Sequence, residues 1–279
     1  MTRRTLAALL LTASATLALA GCSAGGGDTG STDAAGDGHV TDGKFTVGTG
    51  EPAYYPWVID DAPESGEGFE AAVAYAVAGE LGFAEEDVVW VRSTFDQAIA
   101  PGPKDFDVNL QQFSITPERA ENVDFSSPYY ETTQVVITVE DSPAASAGSI
   151  ADLKDLLIGA QVGTTSFEAI EEAIAPTAGA QVFNTNDDAK LALQNGTVDA
   201  IVVDLPTAFY LTGVELDGGA IVGQLPTAAG GGDEFGFVLP KDSPLTADVT
   251  AAVDALREDG TLDELATEWL GGDAAPLLD

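Results

Sequence analysis

The chain has one cysteine, one histidine and one methionine in 279 residues. The cysteine is Cys22, near the start, so the rest of the chain holds no disulfide, no thiol nucleophile and no cysteine-bound metal. Positive charge is scarce too: ten Lys and Arg face 46 Asp and Glu, a formal net charge of −36. A surface of that sign repels phosphate backbones, which excludes nucleic acid as a partner. It reads as a solvated, highly soluble face with a secondary capacity to steer cationic ligands. No Walker-type glycine loop is present, which argues against nucleotide hydrolysis by this chain.

Arg3 and Arg4 open a short positive segment, residues 6–20 are apolar, and Leu19-Ala20-Gly21-Cys22 closes it. A charged start, a brief apolar run and small residues before a cut describe an export signal over 1–21, too short to persist as a membrane span. Its last four residues resemble a bacterial lipobox. That implies a lipidated Cys22 at the mature N-terminus, anchoring the protein outside the cytoplasm on the cell membrane. The plainer alternative is an ordinary secretory signal beside a chance cysteine, and Thr2-Arg3-Arg4 leaves Sec and twin-arginine export both open. Residues 22–43 are mostly Gly, Ser, Thr, Asp and Ala, with almost nothing to bury, and read as a flexible tether. Such a coil reaches roughly 25 Å. His39 falls within it and is expected in solvent.

Beyond the tether, β-rich runs alternate with helical patterns. Phe69, Val73, Val77 and Leu81 recur every four residues, the apolar stripe of a helix that Gly82 ends. Strands are expected at 45–47, 88–91, 106–110, 134–139, 158–162, 181–183, 200–203 and 235–239. Helices are expected at 95–99, 150–157, from 166, and at 187–194, 246–258 and 262–270. This alternation argues for an α/β fold with mostly parallel sheets flanked by helices. Changes of pattern at 131–135 and 228–232 suggest two lobes.

Open α/β sheets bind ligands in the loops beyond their strand ends, and four such loops carry candidate residues. The first is Glu51-Pro52-Ala53-Tyr54-Tyr55-Pro56-Trp57, acidic and aromatic. The second places Gln112, Ser114 and Arg119 in NLQQFSITPERAENVDFSSPYY, from Asn109 to Tyr130. A guanidinium fork matches a carboxylate, although an arginine capping a turn near Glu118 and Glu121 would look the same in sequence. The third is Gly163-Thr164-Thr165, whose hydroxyls bind an anion, cap a helix, or do both. The fourth is Asp204, an acid ending an apolar run. It either caps the following helix or faces a cation, because an unpaired buried carboxylate is costly.

These blocks resemble the family 3 extracellular solute-binding proteins, the receptors of polar-amino-acid ABC importers, over about residues 40–272. The resemblance implies a two-lobed, periplasmic-binding-protein-like (type II) fold with two hinge crossings. Residues 44–131 plus 233–279 would form lobe 1, and 135–225 lobe 2. Arg119, Ser114, Thr164 and Thr165 would hold a ligand's α-carboxylate, and Asp204 its α-ammonium. Glu51, Tyr54 and Gln112 would meet its side chain. The sequence departs from the family there: the first loop has an extra residue and Glu in place of Asp, and Gln112 stands where a small residue is usual. The implied protein is a monomeric receptor and no enzyme. It needs no cofactor or metal, closes on a polar amino acid, and delivers it to a membrane permease served by a separate ATPase subunit. The rivals are an enzyme on the same fold, such as a cyclohexadienyl dehydratase using Glu51 or Glu70, and a ligand-sensing accessory protein.

Overall fold

The computed structural model describes residues 38–227, 231–271 and 274–279. The signal expected at 1–21, Cys22 and most of the tether lie outside the described residues. Strand β1 (Phe45–Gly50) leads to α1 (Phe69–Glu80), β2 (Val88–Ser93), α2 (Phe95–Ile99), β3 (Val108–Asn109), β4 (Val123–Phe125) and β5 (Tyr130–Thr132). Next come β6 (Gln134–Val139), α3 (Ile150–Leu153), β7 (Ile158–Gln161), α4 (Thr165–Ala169), β8 (Gln181–Phe183) and α5 (Asn186–Gln194). Then follow β9 (Ala200–Asp204), α6 (Leu205–Tyr210), β10 (Gly219–Gln224), β11 (Asp233–Phe235), β12 (Val238–Pro240), α7 (Thr246–Glu258) and α8 (Thr261–Trp269).

Two five-stranded sheets result, in the orders β2-β1-β3-β12-β4 and β10-β6-β9-β7-β8. Each is mostly parallel, as expected, with four strands running one way and a single strand reversed. In the first, β1 runs parallel to β2 and β3 while β12 is antiparallel to its neighbours. In the second, β7 runs parallel to β8 and β9 while β6 is antiparallel to β9 and β10. The reversed strands adjoin the chain's crossings between lobes, so they enter each sheet from outside its βαβ series. The crossings themselves pair, with β5 antiparallel to β11 from Tyr130↔Phe235 to Thr132↔Asp233.

The apolar stripe expected on α1 is present, and the helix is buried through Phe69, Val73 and Val77 against α7 and α8. It begins at Gly68, where φ is 102° and an added Cβ would stand 2.6 Å from the carbonyl oxygen of Trp57. The core around α1 is rich in aromatics, including Phe45, Trp57, Tyr129, Phe235 and Phe237. The cores of the second lobe are mainly Val, Ile, Leu and Ala.

Four expectations change. The helix expected over 150–157 stops at Leu153, and the strand expected over 235–239 breaks into β11 and β12 around Gly236. The tether expected through residue 43 ends earlier: the His39 ring lies edge-on to Phe83 at 5.1 Å, and its Nδ1 is 3.0 Å from Asp107 Oδ2. Asp107 also accepts from the backbone N–H groups of Val40 and Thr46, which ties this segment to the first lobe. Residues 233–279 were expected to stay in that lobe throughout. Their last residues instead reach the second, where Leu278 packs beside Ile158 and Leu225, and its N–H donates to Gln224 O. No helix among the described residues is long and apolar enough to cross a membrane.

Candidate functional site

A cavity of about 300 Å³ opens where the ends of β1 and β3 face those of β7 and β9. Its lining includes all eight candidates: Glu51, Tyr54, Gln112, Ser114, Arg119, Thr164, Thr165 and Asp204. Glu51 is exposed at its rim, whereas Ser114 and Arg119 are buried.

Arg119 follows the turn that begins after β3, and its backbone N–H donates to Thr116 Oγ1. Arg119 is 8% exposed, and its guanidinium lies over the Phe95 ring at 5.3 Å from the centroid. Its Nη1 donates to Ser114 O in its own lobe at 2.7 Å, and Nη2 to Gly163 O in the other at 2.9 Å. It therefore does not act as a turn cap paired to Glu118 or Glu121. Desolvation lowers its pKa, and the charges of Glu168, Asp233 and Asp204 oppose that shift. A guanidinium still retains its charge there. Ser114 Oγ meets Thr165 Oγ1 across the lobes at 3.1 Å.

At the third loop the two threonines divide. Thr164 caps α4: its Oγ1 accepts from Phe167 N at 3.2 Å and donates to Gln161 O at 2.7 Å. Its hydroxyl is thus engaged with backbone, while Thr165 keeps its own turned toward Ser114.

Asp204 precedes α6 but makes no side-chain cap there. Its Oδ1 accepts from Gln134 Nε2 at 2.9 Å, and the same amide nitrogen lies 2.6 Å from Asp233 Oδ2. Gln134 Oε1 in turn accepts from Ser166. One buried amide thus joins the start of β6, α4, β9 and the crossing strand β11. Burial first, then the nearby Asp233 charge, raises the Asp204 pKa to about 7.

Glu70, named from sequence only for the enzymatic rival, lies among the apolar residues of α1. The side chain is 1% exposed, yet it lines the cavity. Oε1 accepts from Gln112 N at 2.7 Å, Oε2 from the Gln112 amide, and Tyr129 OH also donates to Oε1. These bonds hold Gln112 at φ 54°, a left-handed conformation unusual for a residue other than glycine. Burial raises the Glu70 pKa to about 7 despite those donors. No local pattern joins Gln134, Ser166 and Asp233: α4 packs on β6 to bring in Ser166, and the β5–β11 crossing brings in Asp233. Tyr54 lines the cavity, while Trp57 is fully buried and donates from Nε1 to Thr207 Oγ1 at 3.1 Å. Among the described residues, no group of His, Cys, Asp and Glu is arranged to hold a metal ion.

Comparison with known proteins agrees with this architecture. The L-arginine-binding protein of Pseudomonas aeruginosa is 31% identical over 231 residues, covering 80% of this chain and 86% of its own. A solved ancestral arginine-binding protein bound to arginine superposes with a TM-score of 0.68 at 31% identity, over 82% of this chain and 99% of its own. An ancestral amino acid-binding protein described as a precursor of cyclohexadienyl dehydratase gives 0.67 at 31% identity, over 82% and 95%. Residues 45–272 match the bacterial extracellular solute-binding proteins, family 3, and the chain belongs to that family.

Proposed function

We propose that this protein is the extracytoplasmic binding component of an ABC importer and captures a polar amino acid with a cationic side chain. One observation carries the reading: a buried arginine and a strand-end aspartate, Arg119 and Asp204, approach a single cavity from opposite lobes. A zwitterion offers each its complement, the α-carboxylate to Arg119, Ser114 and Thr165, the α-ammonium to Asp204. The cationic side chain follows from charge balance. Glu51, Glu70, Asp96 and Asp204 line the cavity against Arg119 alone. A ligand with a second positive charge reduces that imbalance, and a second carboxylate worsens it. The arginine-binding relatives support the same class.

Because each lobe supplies part of the shell, ligand favours the closed arrangement over the open one, and the closed form is what a permease recognises. The rotation is centred on the paired crossings β5 and β11. Cys22, once lipidated, keeps the receptor beside that permease. Calorimetry against the twenty amino acids tests the reading. Arginine or lysine should bind at least a hundredfold more tightly than glutamate, a difference of about 2.7 kcal/mol. Tighter binding of glutamate would refute the ligand class, and no binding by any amino acid would refute the receptor. Cys22→Ala should release the protein from the membrane fraction or leave it uncleaved.

An enzymatic alternative draws on Glu70, a carboxyl in the cavity with a pKa of about 7. Its oxygens, however, already receive Gln112 and Tyr129, which makes it a support for the binding loop. Prephenate and arogenate should not be turned over.

A further inference from the structure

A second cavity, of about 250 Å³, adjoins the first and shares Pro52, Ala53, Tyr54, Gln112 and Asn186 with it. The inner cavity alone is at the bottom of the roughly 300–1,000 Å³ range of small-molecule sites, and the pair lies well inside it. The outer compartment differs in chemistry. Its walls include three tyrosines, Tyr54 and Tyr55 from the first lobe and Tyr210 from the second.

Tyr55 is 43% exposed, and the Tyr210 ring it packs on is held by polar contacts. Asp187 lies beside the Tyr54 phenol, where its charge adds to burial in raising the Tyr54 pKa. Lys190 Nζ donates to Asp187 Oδ1 at 2.9 Å and to Glu215 Oε2 at 3.0 Å. Tyr210 OH closes the chain by donating to Glu215 Oε1 at 2.7 Å. The lysine thereby fixes the Tyr210 phenol through Glu215, and Tyr55 packs on Tyr210 at a centroid distance of 4.4 Å and an interplanar angle of 32°. Charge follows the same direction. Arg92 offsets Asp61 and Lys190 offsets one of Asp187 and Glu215, so Asp60 and one further carboxylate are left over in the lining. Fixed aromatic faces among excess carboxylates suit a cation too large and too weakly hydrated for a tight ion pair.

We propose that the two cavities form one elongated site, whose outer compartment receives an N-alkylated guanidinium or ammonium terminus on an amino acid anchored in the inner one. The inference rests on the amino-acid-receptor reading and extends it to ligands longer than the free proteinogenic amino acids. Arginine would reach only the edge of the outer compartment, whereas methyl groups on its terminal nitrogens would enter it and displace water from the tyrosine faces.

The test is calorimetry on the full mature chain with L-arginine and with Nω,Nω-dimethyl-L-arginine. The wild type should bind the dimethylated ligand at least as tightly as arginine. Tyr210→Ala should weaken the dimethylated ligand about tenfold more than arginine, within the range of a cation–π contact. Tyr210→Phe, which keeps the ring and loses only the bond to Glu215, should preserve the wild-type ratio. Weaker binding of the dimethylated ligand in the wild type, with arginine still bound, would overturn this inference and leave the receptor standing. An equal loss of both ligands in Tyr210→Ala would also overturn it, because the ring would then serve closure alone. If neither ligand nor any amino acid binds, the receptor reading falls and takes this one with it.

Discussion

The two lobes furnish the cavity in opposite ways. The first builds its face on an aromatic core, with the acid Glu70 buried inside α1 to support Gln112, and contributes the cation Arg119. The second packs aliphatic side chains and contributes the anion Asp204, held by the single amide of Gln134. Arg119 is therefore fixed by bonds to two carbonyls, whereas Asp204 shares its donor with Asp233 and is strained electrostatically. An acid kept near neutrality without ligand gains most from an incoming ammonium. The first lobe offers a preformed anion clamp, and the second holds a charge that a cation relieves.

The largest effect expected from this contrast is at Arg119. Arg119→Ala should weaken amino-acid binding at least a hundredfold, since removing one partner of a buried charge pair typically costs about 3–5 kcal/mol. Retained binding would remove the first lobe's clamp from the account.

Next comes pH. Asp204 must ionise to meet an ammonium, so affinity should rise by up to about tenfold per pH unit as pH approaches 7 and then level off. Asp204→Asn should bind weakly and without that slope. Ligand-free stability should run the other way. The folded pKa values of Glu70 and Asp204 lie above their unfolded ones, so the unfolded chain binds fewer protons between about pH 4 and 7, and stability falls as pH rises through that window. Asp204→Asn should flatten this fall, and denaturation across the window checks it.

The smallest effect sharpens the contrast within the second lobe. Thr164→Ala should cost about 1 kcal/mol of stability through the lost cap. Affinity should change little, because its hydroxyl already serves Gln161 and Phe167. Thr165→Ala should do the reverse, lowering affinity with little cost in stability.

Much of this was legible in sequence for a physical reason. The α1 stripe, the β runs and the loops at strand ends are local patterns, so periodicity locates them. The eight candidate residues could be named because each lies at or just beyond a strand end, and the structure lines one cavity with them. Long-range pairing was not legible. Asp233 and Gln134 are 99 residues apart, and only the antiparallel crossing of β5 and β11 joins them. His39 looked like tether because its neighbours are Gly and Asp, and no local pattern marks Asp107 as its partner. Glu70, the buried charged residue of α1, carried a local signal, since an acid amid an apolar stripe requires donors.

The most direct measurement is a calorimetric titration of the wild-type protein with L-arginine, agmatine and Nα-acetyl-L-arginine. Agmatine lacks the α-carboxylate that Arg119 would hold, and the acetylated ligand lacks the charged ammonium that Asp204 would hold. Binding of arginine, with each analogue at least about a hundredfold weaker, is the predicted result. Comparable binding of arginine and either analogue would contradict the claim that the two lobes share one amino acid between a cation and an anion.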